Sequence, residues 1–491
     1  MSVFSEWPKP FVFKDGREVR NVGDWQERRE EILADYQTEM YGRIRKGEKV
    51  SFELADEGAM LVSFFGAQPA PEAKKMTVLV KKSGEKKETA VNTTDIRETG
   101  NVVNAADIRE AGNVVNAADI REAGSTVNSA DSRETENVAA DAGISEVSFD
   151  TAVFLPTDGG RYRFPGGSPV IICMHPIGPI KYANEHGYAV IVMNPAEIAS
   201  DDYKHDGCFY RLYPYGEKDG EQTGVLAAWG WGASKVLDAL FAGAGEKLGI
   251  NPKAAIVTGV SRWGKATAVC GAFDERFRMV APSCSGAGGL ALYRYKSEGK
   301  TFDFSTKENE EKPFGDIDKN MPKMPGTPEK IDMAHYTYGQ NEPLSCLQSD
   351  GERGWFNDRF VGYRSEADLP LEQYMLPALC ADKNRLYFVI ASCINEDWVN
   401  APSMWACCRV DEKIFDFLGV RENLAVNIHK EGHAVIGEDM GYMIEFFNEK
   451  VYGIKSDKDL SALTTSVFEE SANKDFMIDE MCDEVLGSEK E

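Results

Sequence analysis

Short apolar runs that alternate with amphipathic stretches constrain the fold of this 491-residue chain more than any other feature. The runs are rich in β-branched residues and are bounded by Gly, Pro or Asn, which is typical of strands buried on both faces. Apolar residues at helical spacing fill 229–244 and recur after Ser261. Strands that alternate with helices predict a mostly parallel sheet flanked by helices on both faces, a three-layer α/β sandwich. The predicted strands are 169–174, 188–193, 254–258, 277–281, 386–391 and 424–428.

The charge balance excludes some classes of partner. The chain has 55 Lys and Arg residues against 80 Asp and Glu residues, a formal net charge of −25. Nucleic-acid binding requires clustered cations, so we expect no nucleic-acid partner. No apolar run approaches the roughly 18 residues that cross a bilayer, so no membrane association is expected. The first residues lack the basic and apolar segments of a secretion signal, which predicts a cytoplasmic location, or a secreted or periplasmic one if a leader was removed.

The ten cysteines do not indicate a disulfide scaffold or a metal site. They are sparse for the length of the chain, and the sequence contains no CxxC pair and no HExxH motif. This usage predicts free thiols, with neither a structural zinc nor another metal. No motif indicates a cofactor, and no protein partner is evident.

Four nearly identical 12-residue units follow one another from Asp95 to Ala142. Such short tandem copies, in which Ile and Val are the only bulky apolar residues, predict a mobile or partly helical insertion over 93–142 without a catalytic part. A small solenoid is the alternative. A second insertion, 302–352, is polar and contains several prolines, and we expect it near the active-site edge of the sheet. The remainder predicts one domain spanning 1–491.

The most informative local motif is Thr258-Gly-Val-Ser-Arg-Trp-Gly-Lys265, placed between a predicted strand and a predicted helix. A serine on such a tight strand-to-helix turn projects its hydroxyl into solvent, as in the nucleophile elbow of α/β hydrolases. The usual G-x-S-x-G pattern is here G-x-S-x-x-G. The alternative is that Ser261 only caps the helix.

Two cations follow the serine. Arg262 and the N–H groups at the helix start would stabilise the oxyanion of a tetrahedral intermediate. Lys265 lies one turn along, on the same face as Ser261. Two cations beside a nucleophile predict a polar, acid-derived acyl group instead of a lipid. For Lys265, a side chain on an exposed helix face is an equally valid interpretation.

A serine nucleophile needs a histidine, and in this fold the histidine comes last in the chain. His335, His429 and His433 follow Ser261. His335 lies in the irregular insertion and His429 ends a predicted strand, whereas His433 lies in a Gly-containing loop that can reach over the sheet edge. His433 is therefore favoured over His429.

The acid that orients the histidine should follow a strand between the two. The predicted strand 386–391 leads into Glu396 and Asp397. Either carboxylate could stabilise the imidazolium of His433. A solvated acidic pair at a strand end is the alternative.

These residues resemble the signature of the glucuronoyl esterases, carbohydrate esterase family 15. The family's Gly-Cys-Ser-Arg-x-Gly-Lys is similar to Gly259-Val-Ser-Arg-Trp-Gly-Lys265, with valine in place of cysteine. The family's Ser-Gly-Ala-Gly-Gly is found at 285–289. The resemblance covers nearly the whole chain except the repeats and 302–352. Further segments that resemble the family lie at 207–213, 228–232, 354–356 and 432–433.

The resemblance implies an α/β hydrolase that cleaves the ester between a glucuronic acid of xylan, often 4-O-methylated, and a lignin alcohol. It assigns Ser261 as the nucleophile and His433 as the base. It further assigns Arg262 to the oxyanion, Lys265 to a sugar hydroxyl and Trp398 to packing on the glucuronoyl ring.

One departure from the family pattern concerns the triad acid. Fungal members carry it immediately before Ser-Gly-Ala-Gly-Gly, where this chain has Cys284. Some bacterial relatives carry an acid two residues before the tryptophan, which corresponds to Glu396 here. We therefore predict a triad of Ser261, His433 and Glu396. Where relatives often have a Gly-Glu that touches the sugar, Glu298 is the substitute in this chain.

Two other functions remain open from the sequence. An acetyl-xylan or other carbohydrate esterase could use the same triad. The loss of an acid at Cys284 could instead leave an inactive saccharide-binding protein. In each case the expected ligand is a saccharide.

Overall fold

A computed structural model describes residues 4–63, 66–83, 144–158, 160–176, 178–218, 221–304, 311–317, 329–464, 468 and 478–487. The described residues outside 83–143 form one compact unit. The predicted repeat insertion, 93–142, lies outside the described residues. In the part of the chain that is described, every helix is too short or too polar to span a bilayer.

A nine-stranded sheet forms the centre of this unit. Its strand order is β1-β4-β5-β7-β6-β8-β9-β14-β15. From β7 to β15 all neighbours are parallel, whereas β1, β4 and β5 form an antiparallel edge. The strands are β1 (Lys49–Ala55), β2 (Met60–Ser63), β3 (Gly66–Pro69), β4 (Lys74–Lys81), β5 (Glu146–Phe154), β6 (Ser168–Cys173), β7 (Ala189–Met193), β8 (Ile250–Val260), β9 (Met279–Ser283), β10 (Thr301–Asp303), β11 (Lys312–Pro313), β12 (Lys330–Ile331), β13 (His335–Thr337), β14 (Leu386–Ser392) and β15 (Leu424–His429).

Helices connect and cover these strands. They are α1 (Val22–Tyr36), α2 (Ile180–Glu185), α3 (Pro195–Ile198), α4 (Cys208–Leu212), α5 (Val225–Ala239), α6 (Gly245–Leu248), α7 (Arg262–Phe273), α8 (Phe314–Ile317), α9 (Leu344–Leu347), α10 (Asp358–Val361), α11 (Met375–Ala378), α12 (Ala401–Phe417), α13 (Gly437–Phe447) and α14 (Ile478–Leu486). Short π or 3₁₀ segments are Gln37–Tyr41, Leu240–Ala244, Arg353–Trp355, Glu366–Asp368, Arg421–Asn423, Asn448–Tyr452 and Leu460–Thr464.

The two faces of the sheet have separate hydrophobic cores, because successive side chains of a strand point to opposite sides. In β6, Val170 and Ile172 pack in one core with residues of α5, α7 and α12. Ile171, between them, packs in the other core with residues of α2 and α13. The predicted three-layer α/β-hydrolase architecture is therefore confirmed.

The predicted strands are all present, and most of their bounds agree within two residues. The strand predicted at 254–258 is longer, since β8 runs from Ile250 to Val260. The helix predicted over 229–244 also begins earlier, at Val225, and ends in the π segment Leu240–Ala244. Helix α5 is buried on nearly all sides, and its first turn contains only apolar residues. The sequence there lacks the alternation of apolar and polar residues that indicates a helix, so the predicted start was too late.

The arrangement of the parallel strands positions the site. The carboxyl ends of β8, β9, β14 and β15 meet at one edge of the sheet, which is where α/β folds bind ligands. The described part of the insertion 302–352 forms two small two-stranded sheets, β10 with β13 and β11 with β12, followed by α9.

Candidate active site

Ser261 occupies a strained turn between β8 and α7. Its φ and ψ are 62° and −128°, a region that costs a residue with a side chain on the order of 1–3 kcal/mol. The turn closes because a Cβ on Gly259 would lie 2.7 Å from the Trp263 carbonyl oxygen, and one on Gly264 would lie 2.3 Å from that of Ser283. These two approaches explain the spacing G-x-S-x-x-G.

The structure does not use Ser261 as a helix cap. The residue occupies the N-cap position of α7, but its side chain makes no capping hydrogen bond. Its backbone N–H donates to the carbonyl of Ser283 at 3.0 Å. Among the described residues, the half-buried side chain makes no hydrogen bond that would account for a strained serine at this position.

His433 and Glu396 come together from loops after β15 and β14. Nδ1 of His433 is hydrogen-bonded to Oε1 of Glu396. The side chain of Glu396 is fully buried and that of His433 is 12% exposed. An ionised Glu396 accepts the Nδ1 proton, so Nε2 of a neutral His433 is left as a proton acceptor.

Asp397, the alternative acid, contacts other groups. Its carboxylate interacts with Tyr336 and with the backbone of Gly339, and burial raises its pKa. Of the two candidate acids, the geometry therefore pairs only Glu396 with His433 in the described part of the chain.

The alternative histidines are engaged elsewhere. His429 is buried in β15, where Nε2 lies 3.1 Å from the Ala434 carbonyl and 3.5 Å from Asp439. His335 is more than half exposed beside Asp332. Within the described residues, neither histidine has a hydrogen bond or an ion pair with Glu396.

Cys284 lies beside the same pair. It follows β9, the neighbour of β14, and its Sγ lies within 4.8 Å of the ligand atoms of Glu396 and His433. Burial raises the pKa of the Cys284 thiol well above its ordinary value, so the thiol is neutral next to the carboxylate. Two neighbouring strands thus deliver side chains to one histidine, which explains how an acid after β14 can stand in for one after β9.

Arg262 is held by an acid that sequence analysis missed. Its Nη1 donates to Asp201 at 2.7 Å, and its guanidinium lies 5.0 Å from the ring centroid of Trp355. The Nε1–H of Trp355 donates to the other oxygen of Asp201 at 2.7 Å. No motif pointed to Asp201, whereas Trp355 lies in the family-like segment 354–356.

Lys265 is buried, which excludes the interpretation of an exposed helix face. Its side chain is 5% exposed, and Nζ donates to Glu342 at 2.8 Å. Glu352 also faces this ammonium. Burial and the charge of Glu342 raise the pKa of Glu352 to about 7, against the opposing effects of Lys265 and Arg262.

The expectation of a cationic site is therefore corrected in one respect. Arg262 and Lys265 are both present beside the elbow, but Asp201 and Glu342 balance them. Linear spacing identified the cations because they lie within one turn of Ser261. It could not identify the acids, which lie 61 and 77 residues away in the chain.

The two remaining predicted residues differ in outcome. The centroid of the Trp398 ring lies 5.6 Å from that of His433, and the residue is 36% exposed, so solvent reaches part of the side chain beside the histidine. Glu298 is exposed on the turn before β10, and its carboxylate has no contact with Lys265 or His433 among the described residues. Its predicted contact with the sugar stays a prediction, whereas Glu342 and Glu352, which lie near Lys265, were not predicted.

Two clusters of potential metal ligands lie among the described residues. Each brings three ligand atoms within 4.8 Å of one another, in the sets Cys284, Glu396, His433 and Glu342, Cys346, Glu352. In both sets the hydrogen bonds already described account for the arrangement, because His433 holds Glu396 and Lys265 holds Glu342. That the protein binds no metal remains a prediction.

Comparison with known sequences places this geometry in context. A family model described as glucuronyl esterase of fungi matches residues 138–338. A multidomain esterase of Ruminococcus flavefaciens is 39% identical over 478 residues, which cover 96% of this chain and 49% of that protein. A 4-O-methyl-glucuronoyl methylesterase of Neurospora crassa is 27% identical over 60% of this chain and 62% of that protein. The chain thus spans about half to three-fifths of the length of these relatives.

Solved structures share the fold over nearly the whole chain. A family 15 glucuronoyl esterase from Caldicellulosiruptor kristjansonii is 29% identical, with a TM-score of 0.64 over 94% of this chain and 93% of that one. The glucuronoyl esterase from Sporotrichum thermophile has the same fold at 20% identity, with a TM-score of 0.57 over 92% and 89% of the two chains. The motifs, the architecture and these similarities agree: the chain is similar in sequence and in fold to the glucuronoyl esterases of carbohydrate esterase family 15.

Proposed function

We propose that this chain is a serine esterase that hydrolyses the ester between glucuronic acid, often 4-O-methylated, and a lignin-type alcohol. The observation that carries the proposal is the buried Glu396 holding Nδ1 of His433 at the sheet edge where Ser261 occupies a strained elbow. A strained serine and an oriented histidine at one edge are the elements of nucleophilic acyl transfer. The relatives with 4-O-methyl-glucuronoyl methylesterase activity supply the substrate class.

In the first step, Oγ of Ser261 attacks the ester carbonyl while its proton passes to Nε2 of His433. Glu396 stabilises the imidazolium that forms. The carbonyl oxygen becomes an oxyanion, and Arg262 with the N–H groups at the start of α7 provides positive charge there. The alcohol then leaves with the proton from His433.

In the second step, water attacks the acyl-enzyme. His433 accepts a proton from the water, and the ester bond to Oγ breaks. The serine regains its proton from His433, and glucuronate is released as a carboxylate. The whole cycle consumes one water and yields one alcohol and one acid.

The polar surroundings favour a sugar acid as the acyl group. Lys265 can donate to sugar hydroxyls, and Glu342 and Glu352 can accept from them. The exposed part of the Trp398 side chain offers an apolar surface on which a pyranose ring can pack. An apolar acyl chain would displace water from these polar groups without offering hydrogen bonds in its place, which disfavours a lipase.

Turnover of benzyl glucuronate by the wild type and by Ser261→Ala tests the proposal. We expect hydrolysis by the wild type and a loss of at least about 1,000-fold in kcat for the variant. Acetylated xylose and p-nitrophenyl acetate serve as competing substrates. Preference for these acetates would identify another carbohydrate esterase. Binding of glucuronoxylan without turnover of any ester would identify a saccharide-binding protein.

A further inference from the structure

The ion pair between Arg262 and Asp201 lies where solvent reaches both side chains. Nη1 of Arg262 is 2.7 Å from Oδ2 of Asp201, and the two side chains are 30% and 28% exposed. The ion pair between Lys265 and Glu342 is more deeply buried, with 5% and 8% of the side chains exposed. A carboxylate dissolved in water can therefore approach Arg262 more readily than Lys265.

Asp201 is fixed in place by a second donor. Nε1–H of Trp355 donates to Oδ1 of Asp201 at 2.7 Å, so both carboxylate oxygens accept a hydrogen bond. The guanidinium of Arg262 lies 5.0 Å from the ring centroid of the same tryptophan. The two segments are in close contact, because a Cβ on Gly354 would lie 2.4 Å from the carbonyl oxygen of Asp202. The negative charge beside Arg262 is therefore held by the tertiary structure.

The charges around the two cations do not leave a positive excess. Burial and the charge of Glu342 raise the pKa of Glu352 to about 7, and Glu352 also interacts with Lys265 and Arg262. Above this pKa, Glu352 joins Asp201 and Glu342, which gives three carboxylates against two cations. Below it, these five groups are neutral overall. An anion that binds there meets no net attraction from them.

The transition state and the product are both anionic, but they meet different charges at His433. When the oxyanion forms, His433 holds the serine proton as an imidazolium. After the acyl-enzyme is hydrolysed, His433 has returned that proton to Ser261 and is neutral, and the product acid loses its own proton to solvent. His175 adds no positive charge near Arg262, because burial lowers the pKa of its imidazole to about 4. An additional positive charge is thus present only during the reaction.

We propose, on the basis of the proposed esterase function, that Asp201 is a specificity-determining residue that favours the neutral glucuronoyl ester over glucuronate, the anionic product. A guanidinium without a counter-charge binds a carboxylate through paired, charge-assisted hydrogen bonds and would retain the product. Asp201 occupies Nη1 of Arg262 and cancels its charge in the ground state. The guanidinium stays in position to stabilise the charge that develops on the oxyanion.

Titration calorimetry of the full chain with glucuronate and with glucuronamide, its neutral analogue, tests the proposal at pH 8. Asp201→Asn should bind glucuronate about tenfold or more tightly than the wild type does, since the ligand carboxylate replaces the lost counter-charge of Arg262. Its affinity for glucuronamide should stay within about twofold. Asp201→Glu keeps the negative charge, so its glucuronate affinity should stay within about threefold of the wild type. A gain in affinity cannot result from misfolding.

Asp202→Asn is the matched control. Asp202 is 32% exposed and pairs with Lys204 instead of Arg262, so its substitution should leave glucuronate affinity unchanged. Equal or weaker glucuronate binding by Asp201→Asn relative to the wild type, or no binding by either protein, would overturn the proposal. Equal gains for glucuronate and glucuronamide would also overturn it, because the gain would not depend on charge. Hydrolysis of benzyl glucuronate by the wild type is measured separately, and its absence would refute the esterase function itself.

Discussion

The cations at the two edges of the parallel sheet differ in their hydrogen-bond partners. At the carboxyl edge, Arg262 and Lys265 are each within 2.8 Å of a carboxylate oxygen. At the amino edge, Arg278 and Arg385 retain buried donors without partners. A balanced cation is held in place and gains little from a neutral ester in the ground state, yet it can stabilise charge that develops during reaction.

The strongest test of the carboxyl edge compares the two side chains that flank His433. Glu396→Ala should lower kcat for benzyl glucuronate by about 10³- to 10⁴-fold, because His433 loses the carboxylate that holds its tautomer and stabilises its imidazolium. Cys284→Ala should change kcat by less than about tenfold. Asp397→Asn is the matched control for Glu396 and should have a small effect. Greater damage from Cys284→Ala than from Glu396→Ala would contradict this assignment.

We expect the next largest effect on kcat from substitutions in the ion pair between Arg262 and Asp201. Arg262→Ala should lower kcat by about 10²- to 10³-fold with a small change in KM, since a donor to the oxyanion acts mainly in the transition state. Asp201→Asn keeps the guanidinium but loosens its position, so a smaller loss is expected. Steady-state kinetics with benzyl glucuronate measure both. A change confined to KM in Arg262→Ala would show that the residue binds the substrate ground state.

We expect the ion pair between Lys265 and Glu342 to contribute mainly to the free energy of unfolding. Glu342→Gln leaves a buried ammonium without its carboxylate and should lower the free energy of unfolding by about 3 kcal/mol. Glu185→Gln removes an exposed pair with Lys181 and should cost less than about 0.5 kcal/mol. Urea denaturation measures both. Equal losses of unfolding free energy in the two variants would mean that water solvates Lys265.

Glu352 adds a smaller, pH-dependent effect. Its pKa is about 7 in the folded protein, against an ordinary value of 4.5. Between these values the folded state binds more protons than the unfolded state, so the free energy of unfolding falls as pH rises through this window. Glu352→Gln should remove this pH-dependent fall in the free energy of unfolding, which we expect to be on the order of 1 kcal/mol. Urea denaturation at pH 5 and pH 8 compares the two proteins, and equal pH dependence would place Glu352 in water.

The smallest expected effect comes from the 12-residue repeats. Deletion of residues 95–142 should leave kcat/KM for benzyl glucuronate within about twofold, because no candidate site residue lies in this segment. Circular dichroism establishes that the shortened chain is folded. A folded but inactive deletion variant would show that the repeats take part in the site.

Local pattern was sufficient for the fold and for part of the site. The buried strands and the helix after Ser261 were predictable because their apolar residues are contiguous or periodic in the chain. The elbow was predictable because Gly259 and Gly264 meet a steric requirement within six residues. His433 followed from chain order and from its place in a loop. Each of these inferences needs only residues that are near one another in sequence, or the order of elements in a known architecture.

Contacts between residues that are distant in the chain could be identified only from the tertiary structure. The sequence by itself determined the parallel sheet, the elbow at Ser261 and the presence of two cations after it. The family resemblance already favoured Glu396 as the acid. Only the tertiary structure paired its carboxylate with His433, balanced Arg262 and Lys265 with Asp201 and Glu342, and brought Arg278 and Arg385 together at the opposite edge. The physical reason is that charge compensation depends on distances of a few ångströms between residues tens of positions apart, and sequence spacing carries no information on those distances.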